Sequence, residues 1–446
     1  MFLLYIMPMC HKMIKKQAKK HVKKVLIKGT LILTTAGVLI RFLGFLFKIF
    51  LSRKIGSEAI GTYQQAIPVI TLCHAVCISG TEVTISKLTA FYRSKDNTYA
   101  VKNAVSCTLL SVIAGTLCGI TIYSSAGFLA GHFLNNSECE KLLKALAFSI
   151  PFTCIHSMFY SYNLGKEKTF FPAFSQLSEQ AVRFLGVIVF SQKYTGAYTA
   201  ALASITGELF SVFLCFLLVV GKKFKKIYFV PSKKIYMNII RLSGPVIFNR
   251  VLVSLLQSIE SALIPMMFVL YGMSVKEALS AYGLITGMAL PVVLFPVTFI
   301  NSFSMMLLPA VSKKKNSLKA VLNYSIKSFI MSFILGVLCI IFFNSTGSYI
   351  ACLLFKENKM RMIIKPLSYV CPFLFINVTF KAIMNAIDKS YKILVINLFS
   401  ELIMLLFIVV LVPKSGPAAY IKGVIISQIT SAILSVNTIR KYTKHS

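Results

Sequence analysis

The sequence predicts an all-α integral membrane protein of about twelve transmembrane helices, arranged as two bundles of six. Three observations predict it. The 446 residues are 57% hydrophobic and only 14% charged, whereas soluble domains average about a quarter charged. Apolar runs long enough to cross a bilayer recur along the whole chain. The charge is one-sided, with 48 Lys plus Arg against 13 Asp plus Glu, and it gathers in short clusters between those runs.

A formal charge of +35 can signal nucleic-acid binding. Here no basic stripe lies on a soluble fold, so nucleic acid is not an expected partner. Cytoplasmic loops of membrane proteins collect Lys and Arg, and the clusters read as topology signals. The 11 cysteines include no CxxC pair and sit mostly inside apolar runs, at Cys73, Cys77, Cys107, Cys118, Cys215 and Cys339. They read as small buried hydrophobes rather than disulfides or metal ligands. With no Trp in the chain, Tyr and Phe must form the interfacial belts. Met1 to Met13 is apolar at its start but too short to span, and its basic residues follow rather than precede the apolar stretch. It is expected to be an interfacial segment or to lie upstream of the true start.

A spanning helix needs about 20 mostly apolar residues. Six candidates fall in the first half, at 29–51, 65–86, 104–129, 143–163, 171–191 and 197–220. Six more follow at 239–270, 280–309, 320–343, 364–386, 391–412 and 417–438. With the N-terminus inside, about 30 basic residues fall in cytoplasmic loops and ends, about 11 outside and about seven at membrane depth. That asymmetry favours an even number of spans with both termini cytoplasmic in a bacterial plasma membrane. It leaves ten open if 364–386 is re-entrant.

The resulting organisation is a basic cytoplasmic segment 1–28, a first lobe 29–220, a linker 221–238, a second lobe 239–438 and a tail 439–446. The linker contains GKKFKKIYFVPSKK, Gly221 to Lys234, the longest polar break. The halves share a pattern. Glu58-Ala59-Ile60-Gly61-Thr62-Tyr63 follows the first span, and Glu277-Ala278-Leu279-Ser280-Ala281-Tyr282 follows the seventh. The helices after them contain Pro68, and Pro291 with Pro296, and end in Ser86-Lys87 and Ser312-Lys313. An offset of about 220 residues between like-oriented halves matches a known transporter design.

Charges at mid-bilayer cost roughly 2.5–3.5 kcal/mol on insertion scales and normally face a bundle interior or an aqueous path. Arg41 lies near the middle of the first span, and Lys48 is two turns further on nearly the same face. Together they could form a cationic wall for an anionic headgroup; the structural alternatives are an interhelical ion pair for Arg41 and snorkelling for Lys48. Gln176, Glu179, Gln180 and Arg183 make one polar stripe on the fifth span. Glu179 stands four residues before Arg183, so the pair can neutralise itself. On the seventh span Ser243, Asn249, Arg250, Ser254, Gln257, Glu260 and Ser261 project into one arc of roughly 140°. Such a face inside lipid should line an aqueous cavity. Arg250 is the second candidate phosphate ligand, since the guanidinium fork matches phosphate oxygens. Glu82, Glu208 and Glu401 are the remaining buried acids, each able to carry a coupling proton or ion or to satisfy a neighbour.

No HExxH, P-loop or paired-carboxylate motif is present, so neither an enzyme nor a metal or cofactor site is expected. Energy would come from an ion gradient, the membrane potential or the substrate gradient.

Four sets of residues resemble a known family. They are Lys28-Gly29-Thr30 with Arg41-x-x-Gly44-Phe45, Leu51 to Gly56 and Gly61-x-Tyr63-Gln64; then Pro172-Ala173-x-Ser175-Gln176-x-x-Glu179-Gln180-x-x-Arg183. Next come Pro245, Asn249-Arg250, Ser258-Ile259-Glu260, Ile264-Pro265 and Ala278 to Gly283; then Thr286 to Pro291, Phe295-Pro296 and Leu308-Pro309-Ala310. The chain thereby resembles the stage V sporulation protein B group of lipid-linked oligosaccharide flippases in the multidrug/oligosaccharidyl-lipid/polysaccharide exporter (MOP) superfamily. The resemblance implies two six-helix lobes around a central cationic cavity and alternating-access movement of an undecaprenyl-pyrophosphate-linked saccharide. It implies a peptidoglycan, spore-cortex type of substrate. Arg41 matches the family's first-helix arginine, which implies a headgroup-binding role. Two features depart from the pattern. Gly80-Thr81-Glu82 stands where the family often has an apolar-Pro pair. Some relatives add two C-terminal helices that form a lipid-tail groove, whereas the last span here ends near 438.

The leading expectation is a lipid-linked saccharide flippase whose substrate meets Arg41, Lys48, Arg53, Asn249, Arg250, Gln257 and Glu260, with membrane lipids around it. Glu82 and the stripe from Gln176 to Arg183 have structural or coupling roles. The alternatives are a cation-coupled multidrug exporter of the same architecture, or a non-transporting scaffold whose partners are cell-wall synthesis enzymes.

Overall fold

The computed structural model describes the backbone of residues 2–92, 97–219 and 233–445, and side chains within 35–92, 98–217 and 235–443. The side chains of the basic segment 1–28, and linker residues 221–232, lie outside the described residues. Among the described residues every regular element is helical. The first half contains α1 (Phe2–Cys77), α2 (Ser79–Tyr92), α3 (Asn97–Phe128), α4 (Glu138–Gly165), α5 (Phe170–Phe190) and α6 (Ala197–Val219). The second contains α7 (Lys233–Leu270), α8 (Val275–Tyr282), α9 (Leu290–Leu294), α10 (Val297–Ser312), α11 (Leu318–Phe342) and α12 (Ser348–Phe355). It ends with α13 (Met360–Leu367), α14 (Cys371–Ala386), α15 (Ser390–Val410) and α16 (Val412–His445).

Ten helical stretches among the described residues are long and apolar enough to cross a membrane. One of them, Thr35–Tyr92, is 58 residues long. At about 1.5 Å per residue that is nearly three bilayer thicknesses. It is broken at Gly56, whose φ of 81° and ψ of 172° reverse the chain in a region open mainly to glycine. The polar helix α5, with 21 residues, is a further element of bilayer length. The segment Met360–Ala386, through α13 and α14, is among the stretches long and apolar enough to cross a membrane. Its prolines, Pro366 and Pro372, are accommodated at the junction. Helix α7 starts at Lys233, earlier than the residue 239 expected, so its first turns run through part of the proposed linker.

The second span also starts earlier than hydropathy indicates, directly after Gly56. Ser57 to Gln65 is polar, but the neighbouring segments satisfy it. Ser57 and Ser280 share a hydrogen bond of 2.7 Å, and Gln64 Nε2 donates to the Thr286 carbonyl at 3.1 Å. Gln65 Nε2 donates to Leu134 O at 2.6 Å, and Asn136 Nδ2 donates to Gln65 Oε1 at 3.1 Å. Hydrogen bonds of this kind remove the desolvation cost that a polar run otherwise carries into a membrane.

Left-handed backbone positions recur at a nearly constant spacing. Asn135 and Lys356 stand 221 residues apart, as do Glu167 and Asp388. Gly196 and Gly416 are 220 apart, and Gly56 and Gly272 are 216 apart. Six lie in the turns between helices, where a left-handed residue ends one helix and redirects the chain, and Gly56 and Gly416 break α1 and α16 from within. Buried contacts repeat as well. A Cβ on Gly115 would meet Cys154 and Pro151, and one on Gly336 would lie 2.3 Å from Cα of Pro372. Gly115 and Gly336, and likewise Pro151 and Pro372, are 221 residues apart.

The two halves meet along α1 and α2 on one side and α7, α8 and the π-helical turn Gly283–Ala289 on the other. The closest approach is backbone to backbone. A Cβ on Gly61 would lie 2.0 Å from the Leu279 carbonyl oxygen; one on Gly283 would lie 2.1 Å from the Ser57 oxygen, and one on Gly287 2.2 Å from Ile60. Gly283 and Gly287 form the GxxxG spacing that lets membrane helices approach closely. A capping box starts α8, with Ser274 Oγ accepting from Glu277 N and Glu277 Oε2 accepting from Ser274 N at 2.9 Å. Beyond Pro296 the contact with α1 thins, and α10 packs mainly on α14. The halves are joined backbone to backbone toward the Gly56 end, and toward the other end they stay joined through α2 and α7, where Gly80 lies against Ser243. At that other end, outside the spans, Lys315 Nζ donates to Asp388 Oδ2 at 2.7 Å, and the carboxylate raises the lysine pKa above its ordinary value.

The crossing gives a first prediction. Gly61→Ala should lower the thermal unfolding midpoint in detergent, by an equivalent of about 1–3 kcal/mol from overpacking. Gly131→Ala, where a Cβ would meet nothing within 4 Å, should leave it unchanged.

Candidate functional site

Three ionic groups emerge from the spans. The first is buried in the N-terminal half. Helix α5 carries Glu179 and Arg183 one turn apart, and Arg183 Nη2 lies 2.5 Å from Glu179 Oε1. The same nitrogen lies 2.9 Å from Glu208 Oε1 on α6. His156 of α4 turns Nδ1 toward the other carboxylate oxygens, 3.4 Å from Glu179 Oε2 and 3.6 Å from Glu208 Oε2. Its Nε2 shares a 2.8 Å hydrogen bond with Ser175 Oγ. Glycine makes the arrangement possible: a Cβ on Gly207 would sit 2.4 Å from Arg183 Cγ. Gln180, on the same stripe, points its Oε1 toward Gly44 of α1. Gln176 is half-buried on that helix.

The second group lies in the C-terminal half. Gln257 Nε2 of α7 donates to Glu401 Oε1 of α15 at 3.4 Å. The carboxyl groups of Glu260 and Glu401 lie within hydrogen-bonding reach of each other, and Lys381 of α14 acts on Glu401 electrostatically. Two charged carboxylates so close in a low-dielectric site repel one another.

The third group is the set of cations along α1 and α7. Arg41 and Arg250 are exposed at the depth of the spans. Among the described residues neither has a carboxylate within 4 Å. Arg250 acts electrostatically on Glu82 across the junction of the halves. Lys48 and Asn249 are half-buried. Near Arg41, the rings of Phe42 and Phe45 meet Phe295 at centroid distances of 6.5 and 5.2 Å.

Two sequence expectations meet different surroundings. Arg53, expected to be an outer substrate step, instead joins the halves. Its Nε donates to Leu354 O and its Nη2 to Leu353 O at 2.8 Å, at the C-terminal end of α12, where carbonyls lack helical partners. The polar arc of α7 is divided. Arg250 and Gln257 are exposed, but Ser243, Ser254 and Ser261 are buried. Ser258 Oγ donates to Pro68 O at 2.9 Å and Ser261 Oγ to Gln65 O at 3.3 Å, while Ser243 lies under Gly80. The serines form a seam of small residues against α1 and α2 rather than lining water. His156 was not singled out by the sequence reading, and Glu208 was not linked to Arg183. The only sequence signal for either was an isolated ionisable residue in an apolar run.

A family model described as "Polysaccharide biosynthesis protein" matches residues 26–314. The chain belongs to this family. The match spans all the motifs from Lys28 to Ala310. Stage V sporulation protein B of Bacillus subtilis (strain 168) is 30% identical over 305 residues, covering 65% of this chain and 59% of the relative. The chain thus spans less than two thirds of that relative's length. Sporulation protein YkvU of the same organism is 20% identical over 367 residues, covering 76% of this chain and 81% of the relative. Among solved structures, an inward-facing multidrug resistance MATE family transporter of the MOP superfamily superposes with a TM-score of 0.75 at 13% identity, over 94% of this chain and 99% of that one. The chain is thus a multi-pass membrane protein of this family with the fold seen in MATE transporters.

The buried quartet gives a second prediction. Arg183→Ala leaves two carboxylates uncompensated and should cost about 3–5 kcal/mol, seen as a large fall in the unfolding midpoint. Adding Glu179→Gln should recover part of the loss, because the interaction is shared.

Proposed function

We propose that this protein is a flippase for a saccharide linked through pyrophosphate to a polyprenyl lipid, of the undecaprenyl type used for peptidoglycan and spore-cortex precursors. One observation carries the reading: Arg41 and Arg250 stand at membrane depth with no carboxylate to neutralise them among the described residues. An unpaired guanidinium there is costly unless water or an anion meets it. A pyrophosphate supplies several acceptor oxygens, and the fork geometry of Arg binds them bidentately. The family's description as polysaccharide biosynthesis proteins supports a saccharide substrate, and the likeness to stage V sporulation protein B supports a role in sporulation. A scaffold would more readily pair every buried charge, as Arg183 is paired with Glu179 and Glu208.

The clustering of Lys and Arg in alternate loops supports cytoplasmic termini in a bacterial plasma membrane. The headgroup then enters from the cytoplasm between α1 and α7, with Arg41 and Arg250 on the phosphates and Lys48, Asn249 and Gln257 beside them. Outward release requires the Gly61–Gly283 crossing and the Arg53 bonds to open while the cytoplasmic side closes. This is alternating access between two bundles. Glu82 stands near Arg250 and competes with the phosphate for it, which would assist release.

A second reading has its own support. The Glu260–Glu401 pair beside Gln257 suits a cation-coupled exporter of cationic compounds. Binding assays separate the two: the flippase prefers anionic lipid pyrophosphates, the exporter cationic dyes.

The deciding experiment is headgroup translocation in reconstituted vesicles carrying a defined lipid-pyrophosphate saccharide. Arg41→Ala with Arg250→Ala should abolish translocation in a correctly folded protein. Normal transport by that double variant refutes the assignment. Arg53→Ala should leave headgroup binding intact and shift the balance toward the outward-open state, detected by cysteine accessibility at the Gly56 end.

A further inference from the structure

The quartet in the N-terminal half has more to offer than internal neutrality. His156, Glu179 and Glu208 are each more than nine-tenths buried, at 6%, 7% and 8% exposure. One ligand atom from each lies within 4.8 Å of the others. Arg183 engages only the Oε1 atoms, which leaves both Oε2 atoms and His156 Nδ1 turned toward one point. Glu208 Oε2 has no hydrogen-bond partner among the described residues. A small ligand is the simplest account of a carboxylate oxygen aimed into such a site and left without a bond.

Distance indicates which ligand. A hydrogen bond from an imidazole N–H to a carboxylate should be about 2.7–3.2 Å long. The Nδ1 distances are 3.4 and 3.6 Å. Ligands about 2.1 Å from a tetrahedral zinc ion stand about 3.4 Å from one another. The spacing therefore suits a shared metal better than a shared proton. The surroundings match as well. Metal-bound histidines usually fix their second nitrogen through a hydrogen bond, and Ser175 Oγ does so for His156 Nε2 at 2.8 Å. Arg183 steadies both ligand carboxylates through their outer oxygens. Two carboxylates against one guanidinium leave the group one positive charge short. His74 Nε2, buried and without a partner among the described residues, adds a nitrogen within electrostatic range of Glu208.

We propose that His156 Nδ1, Glu179 Oε2 and Glu208 Oε2 bind a divalent transition-metal ion of the zinc class. The ion ties α4, α5 and α6 together from inside. The nitrogen–oxygen donor set selects zinc-class ions over magnesium or calcium, which take oxygen donors.

The test uses the full-length protein, stripped with chelator in detergent and titrated with Zn2+ and with Co2+ as a spectroscopic probe. The wild type should retain a single equivalent, raise its unfolding midpoint, and show a Co2+ spectrum of nitrogen–oxygen ligation with no thiolate charge-transfer band. His156→Gln and Glu208→Gln should abolish all three effects, while Cys77→Ser should change none. Ser175→Ala should weaken binding by about 10-fold or more, and it carries the test if the ligand variants do not fold. A wild type that retains no metal at micromolar concentration overturns the proposal. So does equal binding by His156→Gln or Ser175→Ala, or a thiolate spectrum. No lipid-linked substrate is present in these measurements, so their outcome is independent of the flippase reading.

Discussion

The architecture depends on a place where two main chains touch. At Gly61 and Gly283 the second leg of α1 and the turn after α8 approach until a single methyl group would strike a carbonyl. Without water in the bilayer, apolar burial does not drive helices together. Close packing and main-chain contacts must do so. This crossing aligns Ser57 with Ser280 and Gln64 with Thr286, and it brings α7 alongside α1, where Ser258 and Ser261 bond to α1 carbonyls. The positions of Arg250 relative to Glu82, and of Phe45 relative to Phe295, follow from the same alignment.

Inside each half the governing rule is electrostatic. The N-terminal half places its acids against Arg183 and His156. The C-terminal half places two acids against each other with Lys381 nearby. The first group is one positive charge short, and the second sets two acids side by side. The backbone turns repeat between the halves, yet the buried chemistry does not. A duplicated scaffold can hold unlike contents because helix turns depend on local conformation, whereas side-chain groups depend on three or four separate helices.

Much of the fold was legible because hydropathy is a local property. Most runs of about 20 apolar residues announced a helix, as at Met360–Ala386, whereas 280–309 is divided among α8, a π-helical turn, α9 and α10. Legibility failed where a residue's fate depends on a distant partner. Ser57 to Gln65 looked like a loop because nothing local shows that Ser280, Thr286 and Leu134 satisfy it. The α7 serines were grouped with Arg250 by helical angle, but angle does not reveal that α1 occupies one edge of that face. Glu179 and Arg183 could be paired because they lie one turn apart on a single helix. His156 and Glu208 could not be joined to them, since no spacing rule links three different spans.

The grip of Arg53 on α12 has a consequence of its own. Its acceptors are the main-chain oxygens of Leu353 and Leu354, so the acceptor side is indifferent to which side chains occur there. Only the donor can be altered by a point change, and drift at positions 353 and 354 leaves the clasp intact. When the clasp parts at the membrane surface, water takes over both oxygens and the guanidinium. Each bond from a charged donor is worth about 1.5–3 kcal/mol net, so the two together set a preferred closed position that still opens within a few kcal/mol.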